Sequence, residues 1–285
     1  MVCRTLRQPR STVYARRRRT TTTPPARTLR KRGPKTAISD AELLEAIRLD
    51  IQESPFVSEG HRKIWARLKR KKLAAGKARV LKIMRENNLL SPHRSRCAPE
   101  PHDNTIVTDA PNLMWGTDGT QVQTVLDGTI HIFAVIEHWN AECLGFHLAQ
   151  KADRFAALEP IKQAVRAIYG SLESNIASGL ALRLDRGTQY TSHDFQAQIK
   201  SWGMRPSFAY VRQPETNGVS ERFMRTYKEQ VCYGNIFQTK EELYEATRKF
   251  IETYNKEWRL EKLGFQSPLE YRHAHSGKPL DEKAA

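Results

Sequence analysis

At 285 residues the chain is long enough to bury one large core or two modest ones, and no run approaches the roughly 18 apolar residues that a membrane span needs. Its net charge of +16 is one-sided: residues 1–100 hold 26 Lys and Arg against 8 Asp and Glu, whereas residues 101–285 hold 21 against 23. A basic module joined to a nearly neutral one predicts a first part that meets a polyanion and a second part with another task; a merely solubilising surface would not be so lopsided. Cys3, Cys97, Cys143 and Cys232 stand singly, without the spacing of a zinc site or a disulfide framework. MVCRTLRQPR has no apolar run behind its charges, as a secretory leader would. These features lead us to expect a cytoplasmic, reduced protein with no membrane partner.

Residues 1–36 carry 12 basic residues and no acid. They form a low-complexity arm that cannot bury enough apolar surface to offset its chain entropy. Residues 37–90 read as three short helices. In ISDAELLEAIRLDIQESP, Ser39 and Glu42 make a capping box, Leu43, Leu44, Ile47 and Ile51 recur at helical spacing, and Pro55 follows the end. EGHRKIWARLKRKK sets Ile64, Trp65 and Leu68 against a basic face. KARVLKIMRENN has Val80 and Met84 on its apolar side and Asn87 or Asn88 as its stop. The last two helices, joined by a glycine-bearing turn, form a helix-turn-helix pattern for DNA; a three-helix bundle with a solvated basic face is the alternative. The basic residues expected to meet DNA are Arg16, Arg17, Arg18 and Arg19 in the arm and Lys77, Arg79 and Lys82 on the third helix.

Residues 91–110 are proline-rich and aperiodic, a linker. His93, Cys97 and His102 within it lack the fourth ligand and paired spacing of a zinc site. The pattern then changes to strands: MWGTDGTQVQTV alternates, LDGT turns, IHIFAVIE is a continuous apolar run, HWNAE turns and CLGFHLAQ follows. Next come a helix over FAALEPIKQAVRAIYG, a strand LALRL, a helix over SHDFQAQIKSWG, a strand RPSFAY and a loop RQPETNG. A helix from Ser220 to Tyr233 follows, and a capping box at Thr239 and Glu242 opens another through Tyr254. Three meandering strands followed by alternating helices and strands predict a mixed five-stranded α/β sheet of ribonuclease-H-like order over residues 111–235. A small all-α helix-turn-helix domain precedes it, and a C-terminal helix and tail (236–285) follow.

Three carboxylates stand out by position: Asp118 inside the first strand, Asp185 at the end of the fourth, and Glu221 in the first turns of a later helix. An acid in a half-buried strand is costly unless it is paired or binds a cation. Taken singly, Asp185 reads as a turn residue and Glu221 as a helix-start charge. Together they could make an all-oxygen cage for two Mg²⁺ or Mn²⁺ ions, the requirement of in-line phosphoryl displacement.

WGTDGT, LDRGTQYTS and PETNGVSERFMRTYKEQ resemble the three catalytic segments of the DDE transposases of bacterial insertion sequences, specifically the second-reading-frame product of the IS-three group in the retroviral-integrase superfamily. CRTLRQPRSTVYARR and the helices from Ser39 to Leu90 are similar to that group's N-terminal region, and YNKEWRLEKLGFQSPLEYR to its C-terminal signature. The resemblance implies an integrase catalytic core that cuts and joins DNA at element ends, with Asp118, Asp185 and Glu221 as metal ligands. Arg225 and Lys228, four and seven residues after Glu221, are expected on its helical face against DNA phosphates. Gly187, which would let the backbone turn, lies near the site with Gln189 and Tyr190, and Asn217 and Gly218 shape the loop into the glutamate helix. Trp115 reads as a core aromatic.

The resemblance further implies a bacterial protein associated with the nucleoid when bound to DNA, a homo-multimer on paired ends, and a DNA-binding partner from an upstream frame to which frameshifting could fuse it. A non-catalytic regulator of element ends and a ribonuclease-H-type nuclease or junction resolvase remain as alternatives. The chain departs from the group at Arg183-Leu184, where many relatives read His-Ser, at Glu137, where many carry Asp, and at Trp258 and Leu260, often Arg and His.

Overall fold

The structure, a computed structural model, describes Pro9, Ser11, Thr12, residues 14–16, 37–92, 106–208 and 217–276. It divides into a small unit, Met1–Ala37, and a large one, Ile38–Ala285, which holds every element named below. Most of the expected arm, and His93, Cys97 and His102 of the expected linker, lie outside the described residues.

Helix α1 (Asp40–Glu53) starts at the expected capping box. The Ser39 hydroxyl accepts the Glu42 amide at 3.2 Å and the Glu42 carboxylate accepts the Ser39 amide at 2.8 Å, satisfying two amides that a first turn leaves open. Helices α2 (His61–Arg70) and α3 (Lys77–Glu86) follow. Leu43, Ile47, Ile64, Leu68, Val80 and Met84 form the shared core, at positions the 3.6-residue period marks. The polar face of α2 is not simply solvated. Lys63 is buried, and Arg67 bridges Asp50 at 2.7 Å and Glu59, which also accepts the Ser54 hydroxyl at 2.7 Å. Burying these cations is tolerable because each meets a carboxylate.

Strands β1 (Met114–Thr124), β2 (Gly128–Glu137), β3 (Cys143–Ala149), β4 (Ala181–Leu184) and β5 (Arg205–Phe208) form one sheet in the order β3-β2-β1-β4-β5. The first three pair antiparallel and β1-β4-β5 pair parallel, the mixed sheet that the element order predicts. Helix α4 (Arg154–Tyr169) is capped by Asp153, whose carboxylate accepts the Phe155 and Ala156 amides, and stops at Gly170 with φ 81°, a left-handed conformation that suits glycine. A single helical turn α5 (Thr188–Thr191), absent from the sequence reading, precedes α6 (His193–Ser201). The expected helix from Ser220 to Tyr233 is α7 (Gly218–Tyr227) continued by a π-turn over Lys228–Cys232. α8 (Lys240–Glu257) runs three residues beyond Tyr254, and α9 (Pro268–Ser276) is an additional helix.

Side-chain alternation along the strands divides the core in two. Trp115, Val135, Leu182 and Leu184 face α4 and α6, whereas Ile132, Ala134 and Ile136 face α7 and α8. Trp115 is fully buried, as expected, and its indole N–H points to the Glu137 carboxylate at 3.2 Å. That buried glutamate also accepts the Asn112 and Trp139 amides at 2.8 and 3.3 Å, so this departure from the family pattern is a structural tie.

The helix-turn-helix is docked on the C-terminal elements. Phe56 meets Trp258 edge-on at 4.8 Å, the Lys63 ammonium lies 2.6 Å from the centre of the Trp258 ring, and Trp65 meets Phe265. Gln230 exchanges two 2.9 Å hydrogen bonds with the Val57 backbone. Arg62 pairs with Glu261, and Arg70 with Glu270 at 3.1 Å. Burial would raise the Glu270 carboxyl, but hydrogen bonds from Arg70, Arg259 and the Ser267 amide bring it down to about 2.

Candidate active site

The parallel register of β1 on β4 runs Met114↔Ala181, Trp115↔Leu182, Gly116↔Arg183. Asp118 and Asp185 each follow the last of these pairs by two residues, Asp185 just past the end of β4. Leu182 and Leu184 face the α4 side, so alternation turns Arg183 and Asp185 to the opposite face. Gly116 lies on that face, because a side chain there would meet Asn217 and Ser220 at the start of α7, and Asp118 shares it. Glu221 sits in the first turn of α7. The three acids thus come from three elements to one face of the sheet.

Their electrostatics agree. Burial pushes the Asp118 carboxyl up to about 6; the Gly119 amide, donating at 2.8 Å, opposes this, while Asp185 and Glu221 raise it further and Lys228 lowers it. Burial also raises the Glu221 carboxyl. Asp185 turns back to accept the Gly187 amide at 2.7 Å. Among the described residues no three His, Cys, Asp or Glu side chains are grouped closely enough to hold a metal ion, so the acids share a field without yet forming a closed ligand set.

The neighbouring residues divide by role. Tyr190 is fully buried against Phe133 and Phe195; burial first, then the charges of Asp118 and Asp185, push its phenol far up. Gly187 has φ −59°, a conformation any residue adopts, so backbone freedom does not explain the glycine; its amide serves Asp185, and the Gln189 side chain folds over it. Asn217 is buried and donates to the Thr117 carbonyl at 3.4 Å. Arg225 is exposed on α7, and Lys228 opens the π-turn, a widening often found at functional sites.

The expected DNA contacts are less uniform. Arg79 clamps the start of α1, donating to Asp40 at 2.8 Å and to the Ile38 carbonyl at 2.7 Å. Lys77 stands 4.9 Å from the centre of the Trp65 ring and 4.0 Å from Glu261. Lys82 is exposed 3.7 Å from Glu86. The sequence reading passed over Lys69 and Arg85, which are also exposed on α2 and α3. Arg16 is exposed in the small unit, and Arg17, Arg18 and Arg19 lie outside the described residues.

It also missed a buried polar group behind the acids: His138, Arg183 and Ser220. Burial, with the charges of Lys262 and Arg183, lowers the His138 imidazole to about 4. Burial, with Arg222, lowers the Lys262 amine to about 8, against the pull of Glu137. A single histidine after an apolar strand carries no periodic signal that could have revealed this.

Two family models described as Integrase core domain match residues 108–214 and 202–268, and one described as HTH-like domain matches residues 39–96. Fold and matches together define a ribonuclease-H-like integrase core joined to a helix-turn-helix domain. The transposase for insertion sequence element IS629 of Shigella sonnei is 23% identical over 76% of this chain and 74% of its own length. For the transposase of IS904 of Lactococcus lactis the figures are 26%, 59% and 64%, and for transposase InsD of IS2 of Escherichia coli 27%, 81% and 78%. A chain of the simian T-cell lymphotropic virus intasome superposes with a TM-score of 0.46 at 15% identity, over 86% of this chain and 78% of that one. The chain belongs to the DDE transposases of insertion sequences, as the resemblance to the IS-three group implied, and acts in DNA transposition. No helix among the described residues is long and apolar enough to cross a membrane.

Proposed function

We propose that Asp118, Asp185 and Glu221 are the catalytic acids, and that they hold two divalent cations, Mg²⁺ or Mn²⁺, at which element ends are cut and joined to target DNA. The observation that carries this reading is the placement of Asp118 in β1 within reach of the charges of two further acids, Asp185 after β4 and Glu221 on α7. Like charges gathered on one half-exposed face, with Asp118 partly buried in β1, are costly in themselves and suit a hard cation with oxygen ligands. When bound, the ions would supply Lewis-acid activation of the attacking oxygen and stabilisation of the leaving one.

The chain's own residues do the rest. β1 and β4 pair as far as Gly116 and Arg183, each two residues before an aspartate, and the Gly187 and Gly119 amides orient the carboxylates of Asp185 and Asp118. Lys228, whose charge reaches Asp118, neutralises a scissile phosphate brought to the acids, and Arg225, exposed on the same helix, holds the strand beside it. A water oxygen attacks phosphorus and the 3′ oxygen of the element end leaves with a proton. That hydroxyl then attacks a target phosphodiester, whose own 3′ oxygen leaves. Lys69, Lys82, Arg85 and the basic arm gather DNA through its phosphates, with affinity falling as salt rises. The working form is a multimer on paired ends, joined by an upstream-frame DNA-binding partner.

A strand-transfer assay with labelled element ends, Mg²⁺ and the upstream partner tests this. The wild type should give nicked and joined products, and Asp118→Ala, Asp185→Ala and Glu221→Ala should give none while still binding ends. Binding without any product from the wild type favours a non-catalytic regulator. Products from a variant reject that acid.

A further inference from the structure

We infer that His138, with Gly116, Asn217 and Ser220, forms a buried polar latch that sets the glutamate helix α7 against β1, and so sets the distance from Glu221 to Asp118. The inference rests on those two acids being cation ligands, and it assigns the four residues as positioning residues.

The geometry begins at Gly116, two residues before Asp118 and on the same face of β1. A Cβ built there would lie 2.8 Å from His138 Nε2 and 3.1 Å from Asn217 Oδ1, and closer still to Ser220 Oγ. Three polar atoms, one from the end of β2 and two from the start of α7, therefore converge on a bare Cα. All three residues are sealed from solvent, at 5%, 3% and 0% exposure. Neither ring nitrogen of His138, nor Ser220 Oγ, nor Asn217 Oδ1 has a hydrogen-bond partner among the described residues. Buried groups of this kind are nearly always paired, and these face one another.

A small advance of α7 toward β1 pairs them, with the Ser220 hydroxyl donating to Nε2 of an imidazole that burial, with the charges of Lys262 and Arg183, keeps neutral. Ser220 and Glu221 share one helical turn, so the same advance carries the glutamate toward Asp118. Glycine at 116 already lets the Ser220 hydroxyl stand where a Cβ would be, and any side chain there would hold the helix off. The elements carrying all three acids meet at this point, because Arg183, level with Gly116, precedes Asp185 by two residues. Support of this sort behind metal ligands commonly changes metal affinity 10–100-fold.

The test uses the full chain and reads the Mn²⁺ concentration giving half-maximal thermal stabilisation, alongside strand transfer. Asp118→Ala and Glu221→Ala should abolish the Mn²⁺ effect; if they do not, the assignment of the acids fails, and with it the ground of this inference. Given that they do, Gly116→Ala and His138→Leu should raise the required Mn²⁺ on the order of tenfold or more, and His138→Gln, which keeps an acceptor, should stay near the wild type. Adding Ser220→Ala to Gly116→Ala should recover part of the loss, since it removes the nearest obstructing atom. If Gly116→Ala melts below the assay temperature without metal, the His138 pair decides alone. The latch is refuted by a His138→Leu chain that takes Mn²⁺ like the wild type, by His138→Gln and His138→Leu failing equally, or by a double variant no better than Gly116→Ala.

Discussion

Replacing Asp118 by Asn removes one charge and little else, because the amide oxygen can still accept the Gly119 N–H. The wild-type carboxyl is raised from 3.8 to about 6, by burial first and then by Asp185 and Glu221. A folded-state value above the unfolded one means that the folded chain holds this proton longer. Without divalent cations, this group's contribution to stability is therefore greatest below about pH 4, falls as pH rises from 4 to 6, and levels off above. A shift of about two units at roughly 1.4 kcal/mol each amounts to about 3 kcal/mol against the charged carboxylate at neutral pH, burial contributing more than the neighbouring acids. Asp118→Asn should relieve most of it, raising the melting temperature in chelator-treated buffer at pH 7 by roughly 5–10 °C while leaving the value at pH 4 unchanged. Addition of Mn²⁺ should stabilise the wild type and not the variant. Thermal denaturation monitored by circular dichroism at both pH values measures this. A variant no more stable than the wild type at pH 7, or equally displaced at both pH values, would refute the electrostatic account of the site.

Lys228→Ala should push the Asp118 carboxyl above its present value of about 6, since Lys228 is the cation that lowers it. It should also reduce the slope of log binding constant against log salt by about 1 on element-end DNA. Trp258→Ala removes the ring that Phe56 and Lys63 meet and should cost about 3–5 kcal/mol; hydrogen exchange should quicken over residues 55–63 while β2 stays protected. Gly145→Ala would drive a methyl into the Pro160 carbonyl of α4, with the Gln163 Cβ at 3.2 Å, and should lower stability by about 1–3 kcal/mol in urea unfolding. Ser39→Ala should lose the α1 cap at about 1 kcal/mol, seen in the same experiment.

The elements legible in the sequence are those whose signal is local. The Ser39 and Glu42 box, the alternation of MWGTDGTQVQTV and the apolar run of β2 each state their own conformation, and each element stands where that signal puts it. Asp118 stands out in the sequence because a carboxylate inside a strand contradicts its surroundings, whereas Asp185, past the end of β4, and Glu221, in the first turn of α7, stand out only in combination with it. What escaped depends on distant partners. Arg67 and Lys63 look like a solvated basic face until Asp50, Glu59 and Trp258 converge on them. The π-turn after Tyr227 has no local signature, and the four residues of α5 are too few for periodicity to show. Gly187 was read as a turn residue, yet its φ is ordinary and its use is the amide given to Asp185. Gly116, which carried no signal at all, matters for the space it leaves between β1 and α7.

The central claim is that three acids from β1, the end of β4 and the start of α7 share divalent cations. Anomalous scattering from a Mn²⁺-soaked crystal of the protein tests it most directly. The account predicts manganese peaks within coordination distance of the carboxylates of Asp118, Asp185 and Glu221, and their loss in Asp118→Asn crystals. Manganese bound elsewhere, or peaks that persist in Asp118→Asn, would contradict it.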